Sequence, residues 1–302
     1  MITYKKLYNP ENLNKDEIIL DIETTGLDAL YDNLVLLGLI RYEGDKCYII
    51  QYFAEDNSEE KRILETYLKE VKDKKIINYN GDKFDIPFLN VRLDKNNLTP
   101  IFPESKDIYK VISSKRKYFK FESMKLTDIE KYIGIYRNDP SRYKVISKLT
   151  DDIKKRYKPK PIMIHNENDL IATEKLLDIE EYFKEKLSIK LNNGNQLILT
   201  SVWINNDIGH IELDSIDPYK DSYFSSNIYE LKTNKNSVEI NIQVIYGKFD
   251  NNHTGYVCLN NFNLENESEM NVDPNLLIVR ENHIYNYKNI LNLSKKIIED
   301  QL

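Results

Sequence analysis

The stretch Ile18–Leu27 constrains this chain most. It reads Ile-Ile-Leu-Asp-Ile-Glu-Thr-Thr-Gly-Leu, an apolar strand-forming run that carries Asp21 and Glu23 two positions apart. Strand periodicity of two points both carboxylates to one face. Two acids on one face repel each other unless a positive charge sits between them, and hard divalent cations take oxygen ligands of this kind. A half-buried edge strand whose alternate polar residues face water has the same pattern.

At 302 residues, with 41% hydrophobic and 30% charged residues, the chain has a globular composition and room for one large domain or two ordinary ones. No apolar run approaches the length of a membrane span, and Met-Ile-Thr-Tyr-Lys-Lys at the N-terminus lacks the layout of a signal peptide. These features predict a cytoplasmic protein with no membrane partner. Cys47 and Cys258 lie far apart in strand-like runs, which predicts buried thiols rather than a disulfide or a zinc site. The net charge of −6 hides an asymmetry. Between Lys106 and Lys160, 17 Lys and Arg stand against 7 Asp and Glu, so the rest of the chain carries sixteen excess negative charges. A basic segment in an acidic protein suits a phosphate backbone, and a solvated helix face accounts for it equally simply.

Strand patterns cover Glu17–Glu23, Leu34–Tyr42 and Lys46–Phe53, the last two joined by a short turn. A helix capped by Ser58 follows, with apolar residues at Ile63, Leu64, Tyr67, Leu68 and Val71. Lys75–Asn80 reads as a short strand and Lys83–Leu93 as a helix with Pro87 near its first turn. Further helices are expected over Ser123–Ile133, stopped by Gly134, and over Ser141–Tyr157, stopped by Pro159 and Pro161. The longest is expected from about Ile164 to Leu187. Three antiparallel strands followed by mixed helices and strands predict an α/β domain, a mixed sheet flanked by helices, over residues 1–187. Residues 188–302 change character. Strand runs at Leu197–Ile204, His210–Leu213, Ser237–Tyr246 and Gly255–Leu259, then a helix at Tyr287–Leu302, predict a smaller β-rich C-terminal domain or an extension of the same sheet.

Two further stretches carry acids. In Asn78-Tyr79-Asn80-Gly81-Asp82-Lys83-Phe84-Asp85 a strand ends, Gly81 supplies a tight turn, and Asp85 reaches the first turn of a helix. An acid there also serves the helix dipole. His165 and Asp169 stand four apart, on one helix face, where a surface pair has the same spacing.

Together the three segments resemble the motifs of the DEDD superfamily of exonucleases. Asp21 and Glu23 match its first motif as Asp-Ile-Glu-Thr-Thr-Gly-Leu, Asp85 the second as Asn-x-x-x-x-Asp-x-x-Phe-Leu, and Asp169 the third, in the right order. The likeness is greatest to the bacterial YprB-like domains, which carry a stretch similar to Leu126–Arg137, and it covers about Lys15 to Leu187. It implies a ribonuclease-H-like fold and a metal-dependent 3′ to 5′ exonuclease acting on single-stranded DNA or RNA. It implies two divalent cations, Mg²⁺ or Mn²⁺, as cofactors. Asp21 would bridge the ions, Glu23 and Asp169 would complete one site, Asp85 would hold the other, and His165 would be the general base. Members that use histidine generally place it five positions before the aspartate; here the spacing is four, as in members that use tyrosine.

The basic segment interleaves Lys115, Arg116, Lys117 and Lys120 with Tyr118, Phe119 and Phe121, a mix that suits a single strand, with cations on phosphates and rings under bases. Arg137, Arg142 and Lys144 are further candidates. By the resemblance Leu27 would wedge against a terminal base; the backbone around Thr24 and Thr25 would cradle the terminal nucleotide, and Asn80 is a further nucleic-acid-binding candidate. Two other readings stand beside the exonuclease: an endonuclease using the same acids, and a decayed nucleic-acid-binding or interaction module whose working part is the C-terminal domain.

Overall fold

Leu34–Ile40 is buried residue by residue. A strand with no exposed alternate positions needs cover on both faces, so this run predicts the centre of a sandwiched sheet. In the computed structural model, which describes residues 1–135 and 146–301, it is the first part of β3 (Leu34–Glu43). The sheet also contains β1 (Ile2–Tyr8), β2 (Glu17–Thr24), β4 (Lys46–Phe53), β5 (Lys75–Asn78) and β6 (Ser105–Asp107), in the order β1-β4-β3-β2-β5-β6. β1, β4, β3 and β2 run antiparallel, while β5 and β6 lie parallel to β2.

Alternation along β2 divides its side chains between two layers. Ile18, Leu20 and Ile22 join a core with Ile63, Leu64 and Tyr67 of α1 (Glu60–Glu70) and Phe88, Leu89 and Leu93 of α2 (Asp85–Lys95). On the other side Val35, Leu36 and Phe53 pack with Ile153 of α5 (Ile146–Lys155) and with Ile162 and Met163 of α6 (Pro159–Lys175). Each fully buried aliphatic or aromatic side chain of this kind stabilises the fold by about 1.5–3 kcal/mol. Two shorter helices, α3 (Ile108–Ser114) and α4 (Leu126–Ile133), complete the layers, and Gly134 ends α4 with φ 81°. The predicted mixed sheet flanked by helices is the observed architecture.

Several boundaries differ from expectation. Asp56, not Ser58, caps the approach to α1, accepting the Ser58 N–H at 2.8 Å over a short 3₁₀ turn. Pro159 and Pro161 open α6 instead of stopping its predecessor, because the first turn of a helix has no use for their missing N–H groups. The single long helix expected to Leu187 is two, α6 and α7 (Ile179–Lys186). The N-terminal part of the helix expected from Ser141 lies outside the described residues.

The chain divides into two compact units, one of Met1–Ser114 with Phe121–Ile179 and one of Lys115–Lys120 with Glu180–Leu302. The expected boundary at 187 therefore falls inside the second unit. That unit is β-rich, as predicted. One sheet has the order β10-β11-β12-β9-β8-β7, from β7 (Ser188–Lys190), β8 (Gln196–Asn205), β9 (Ile208–Ser215), β10 (Ser222–Ser225), β11 (Tyr229–Asn234) and β12 (Ser237–Gln243). A second sheet is β13 (Ile245–Lys248), β14 (Thr254–Leu259), β15 (Leu276–Glu281) and β16 (Ile284–Tyr285) in sequence order, and α8 (Tyr287–Gln301) follows it. Among the described residues no helix is long and apolar enough to cross a membrane.

Candidate metal centre

Asp21 and Glu23 leave β2 on the face opposite Ile22. β2 pairs with β5 through Ile19 and Ile77, and β5 ends at Asn78, so the Ile22 N–H beyond it has no strand partner. Asp85, the first residue of α2, takes its place: Oδ1 accepts from Ile22 N at 3.2 Å. The second-motif acid is thereby tied to the strand between the two first-motif acids. The loop that delivers it turns at Asn80, whose φ of 63° lies in the left-handed region, and at Gly81 as expected, where a Cβ would come within 2.6 Å of Asn78 Cγ. Asp107, at the end of β6, holds this turn: Oδ1 accepts from Asn80 N at 2.8 Å and from Tyr109 N at 3.0 Å.

α6 brings the third group. A carboxylate oxygen of Glu23, one of Asp169 and a ring nitrogen of His165 all lie within 4.8 Å of one another, and His165 Nε2 stands 3.5 Å from Asp169 Oδ2. Thus the four acids and the histidine picked out by sequence converge from β2, α2 and α6. Their electrostatics are those of crowded acids. Burial, then the charges of Asp169, Asp85 and Glu23, push Asp21 well above the usual carboxylate range. Burial raises Glu23 to about 8 against the pull of His165, with Asp169 and Asp85 adding to the rise. Burial raises Asp85 to about 7, against the backbone N–H groups that favour its charged form.

Oxygen donors with one imidazole nitrogen suit a hard or borderline divalent ion, and a dication would favour the ionised form of acids that burial and mutual repulsion raise. The donor set therefore fits Mg²⁺ or Mn²⁺.

Three residues of the site carried no motif. Asn166, next to His165 and fully buried, donates from Nδ2 to Asp21 Oδ2 at 2.7 Å. Its Oδ1 accepts from Gln51 Nε2 at 2.8 Å. Asp21, Gly38 and Gln51 stand side by side across β2, β3 and β4. A Cβ at Gly38 would come within 1.9 Å of Asn166 Oδ1, so glycine is what lets the amide lie there. A sequence signal existed for two of them: Gly38 interrupts Leu-Val-Leu-Leu-Gly-Leu-Ile, and Gln51 interrupts Tyr-Ile-Ile-Gln-Tyr-Phe.

The expected nucleic-acid contacts fare differently. Leu27 is 85% exposed. Thr24 and Thr25 spend their hydroxyls inside the loop, Thr24 on Gly26 O at 2.6 Å and Thr25 on Asp32 Oδ1 at 3.1 Å. Lys115, Arg116, Lys117 and Lys120 belong to the second unit, whereas the acids belong to the first. The rings expected under bases are core: Tyr118 and Phe119 are buried, and Phe119 lies 5.0 Å from both Phe183 and Tyr287. Lys117 is half-buried, donates to Val202 O at 3.3 Å, and is held below the usual lysine range by burial. Phe121 packs edge-on against Tyr132. Apolar packing accounts for Tyr118 and Phe119 in the aromatic interleaving. Arg137, Arg142 and Lys144 lie outside the described residues.

Residues 18–179 match the sequence profile of the RNase_H superfamily. The chain belongs to this superfamily. The Bacillus subtilis (strain 168) relative called "Uncharacterized protein YprB" is 29% identical over 175 residues, which are 55% of this chain and 41% of that protein, so the match spans less than half of the relative. Among solved structures, the family B DNA polymerase of Pyrobaculum calidifontis aligns over 56% of this chain and 25% of its own, with 21% identity and a TM-score of 0.41. E. coli exonuclease I in a complex with single-stranded DNA aligns over 67% of this chain and 54% of its own, with 14% identity and a TM-score of 0.39.

Proposed function

We propose that this protein is a metal-dependent nuclease that removes nucleotides from the 3′ end of single-stranded DNA or RNA. Membership of the RNase_H superfamily supports a nuclease activity. The observation that carries the finer reading is the convergence of Asp21, Glu23, Asp85 and Asp169 with His165 at one end of β2. Asp21 would be shared by two divalent ions, Glu23 and Asp169 would complete one site, and Asp85 would serve the other. Bound there, two such ions supply charge to the attacking and leaving oxygens of an in-line displacement.

The chain's own residues do the rest. His165, beside Asp169, takes the proton of the attacking water, a task that suits a neutral imidazole because one of its ring nitrogens is an acceptor. Asn166 and the Ile22 N–H hold Asp21 and Asp85 in place. Leu27, projecting from the loop after Glu23, offers an apolar surface to a terminal base.

The test compares wild type with Asp21→Asn on 5′-labelled single-stranded DNA and RNA, with Mn²⁺, Mg²⁺ or EDTA. Wild type is expected to give a ladder that shortens from the 3′ end only when metal is present, and Asp21→Asn to give none. Internal cuts would replace the exonuclease with an endonuclease. Intact substrate with every metal would overturn the enzyme reading.

A further inference from the structure

Behind Asp21 lies a buried chain of amides that no ligand role requires. It begins at the Met163 carbonyl, which can accept a hydrogen bond and cannot donate one. That oxygen therefore dictates how the Gln51 amide is turned, with Nε2 towards it at 2.7 Å. The second proton of the same nitrogen goes to Asn166 Oδ1 at 2.8 Å. With Oδ1 engaged, Asn166 has only Nδ2 left for Asp21, and it donates to Oδ2 at 2.7 Å. Gln51 and Asn166 are both 0% exposed, so water does not stand in for either partner. Turning either amide over would set acceptor against acceptor in a dry interior.

We infer that Asn166 is a positioning residue of the metal centre: it pins one oxygen of Asp21, leaves Oδ1 as the oxygen free of that bond, and takes its own orientation from Gln51 and the Met163 carbonyl. The inference rests on the metal-dependent reading above. A role in packing alone is a poor account of the same atoms. Packing α6 on the sheet would be served by apolar side chains, yet the row beneath Asn166 keeps a glutamine and gives up a Cβ at Gly38, where one would stand 1.9 Å from Asn166 Oδ1. Partners of this kind, one bond behind a ligand, set the orientation and basicity of the ligand.

The test uses Gln51→Met, which keeps the volume and removes the donor without burying a charge, together with Asn166→Ala and the double variant, on the full chain. Metal-free melting temperatures monitor the fold, and Mn²⁺ affinity is read by calorimetry. Both single variants are expected to bind Mn²⁺ about 10- to 100-fold more weakly than wild type. Their kcat should recover as Mn²⁺ is raised to saturation. Because Gln51 acts through Asn166, the double variant is expected to bind no more weakly than Asn166→Ala alone. Folded variants with wild-type Mn²⁺ affinity would overturn the positioning role while leaving the metal site standing. A wild type that binds no Mn²⁺ would overturn the metal reading and this role together.

Discussion

His165 stands 3.5 Å from Asp169 and within the same cluster as Glu23, so one imidazole is placed to move a proton or to hold an ion. The two roles separate in a single variant. As the base, His165→Ala is expected to lower kcat by about 100- to 10,000-fold with Mn²⁺ affinity unchanged. A parallel fall in Mn²⁺ affinity, measured by calorimetry on the same preparation, would make it a ligand instead. At this scale the acids were legible because each sits in a local pattern: Asp21 and Glu23 two apart on a strand, Asp85 at a helix start, Asp169 four beyond a histidine. Asn166 gave no such signal, and the polar interruption at Gln51 did not disclose its partner, because their meaning lies in a contact across 115 positions that no local pattern contains. Asp107 was missed for the same reason. It acts on Asn80, 27 positions away, through a backbone N–H that any residue would carry.

At the scale of elements, the loop from Thr25 to Asn33 that displays Leu27 is clamped from below by one buried ion pair. Arg92 of α2 donates through Nε and Nη2 to Glu60 of α1 at 2.8 and 2.6 Å, and through Nη1 to Ala29 O at 3.1 Å. Glu60 also accepts the Leu34 N–H at 2.7 Å. Burial opposes its charge, yet Arg92 and that N–H hold its carboxyl below the usual range. Arg92→Ala would strand a buried carboxylate, so it is expected to cost about 3–5 kcal/mol in urea unfolding. A loss under about 1 kcal/mol would mean that water replaces the guanidinium. The sheet that this pair braces was readable wherever a strand has a buried face. β1 was not, since five of its seven residues are exposed and it lies at the sheet edge, where no alternation is imposed. Ser237–Tyr246 reads as one continuous strand, but the chain leaves one sheet after Gln243 and joins another at Ile245, and such a crossing leaves no gap in β propensity.

At the scale of the whole molecule, the crowded acids couple stability to pH and to metal. A carboxyl whose folded value is raised stabilises the fold fully below its unfolded value, near pH 4, and that contribution is lost as pH rises through the folded value. For Asp85 and Glu23 those folded values are about 7 and about 8. Metal-free protein is therefore expected to melt at progressively lower temperature between about pH 5 and pH 8.5. Divalent ions bind the ionised acids and release their protons, so the gain on adding Mn²⁺ should be larger at pH 8.5 than at pH 6. At about 100 times its Kd, Mn²⁺ would stabilise by roughly 2.7 kcal/mol, a rise of roughly 5–10 °C for a unit of this size. Trp203 is the one tryptophan in the sequence and belongs to the second unit, so its fluorescence follows that unit, while far-ultraviolet circular dichroism follows both. A Mn²⁺ shift seen by dichroism and absent from fluorescence would mean that the first unit binds metal and unfolds by itself. Equal shifts in both signals would mean that the two units unfold together. The same Mn²⁺ shift at pH 6 and pH 8.5 would contradict the raised values, because acids already ionised at pH 6 have no protons for the metal to displace.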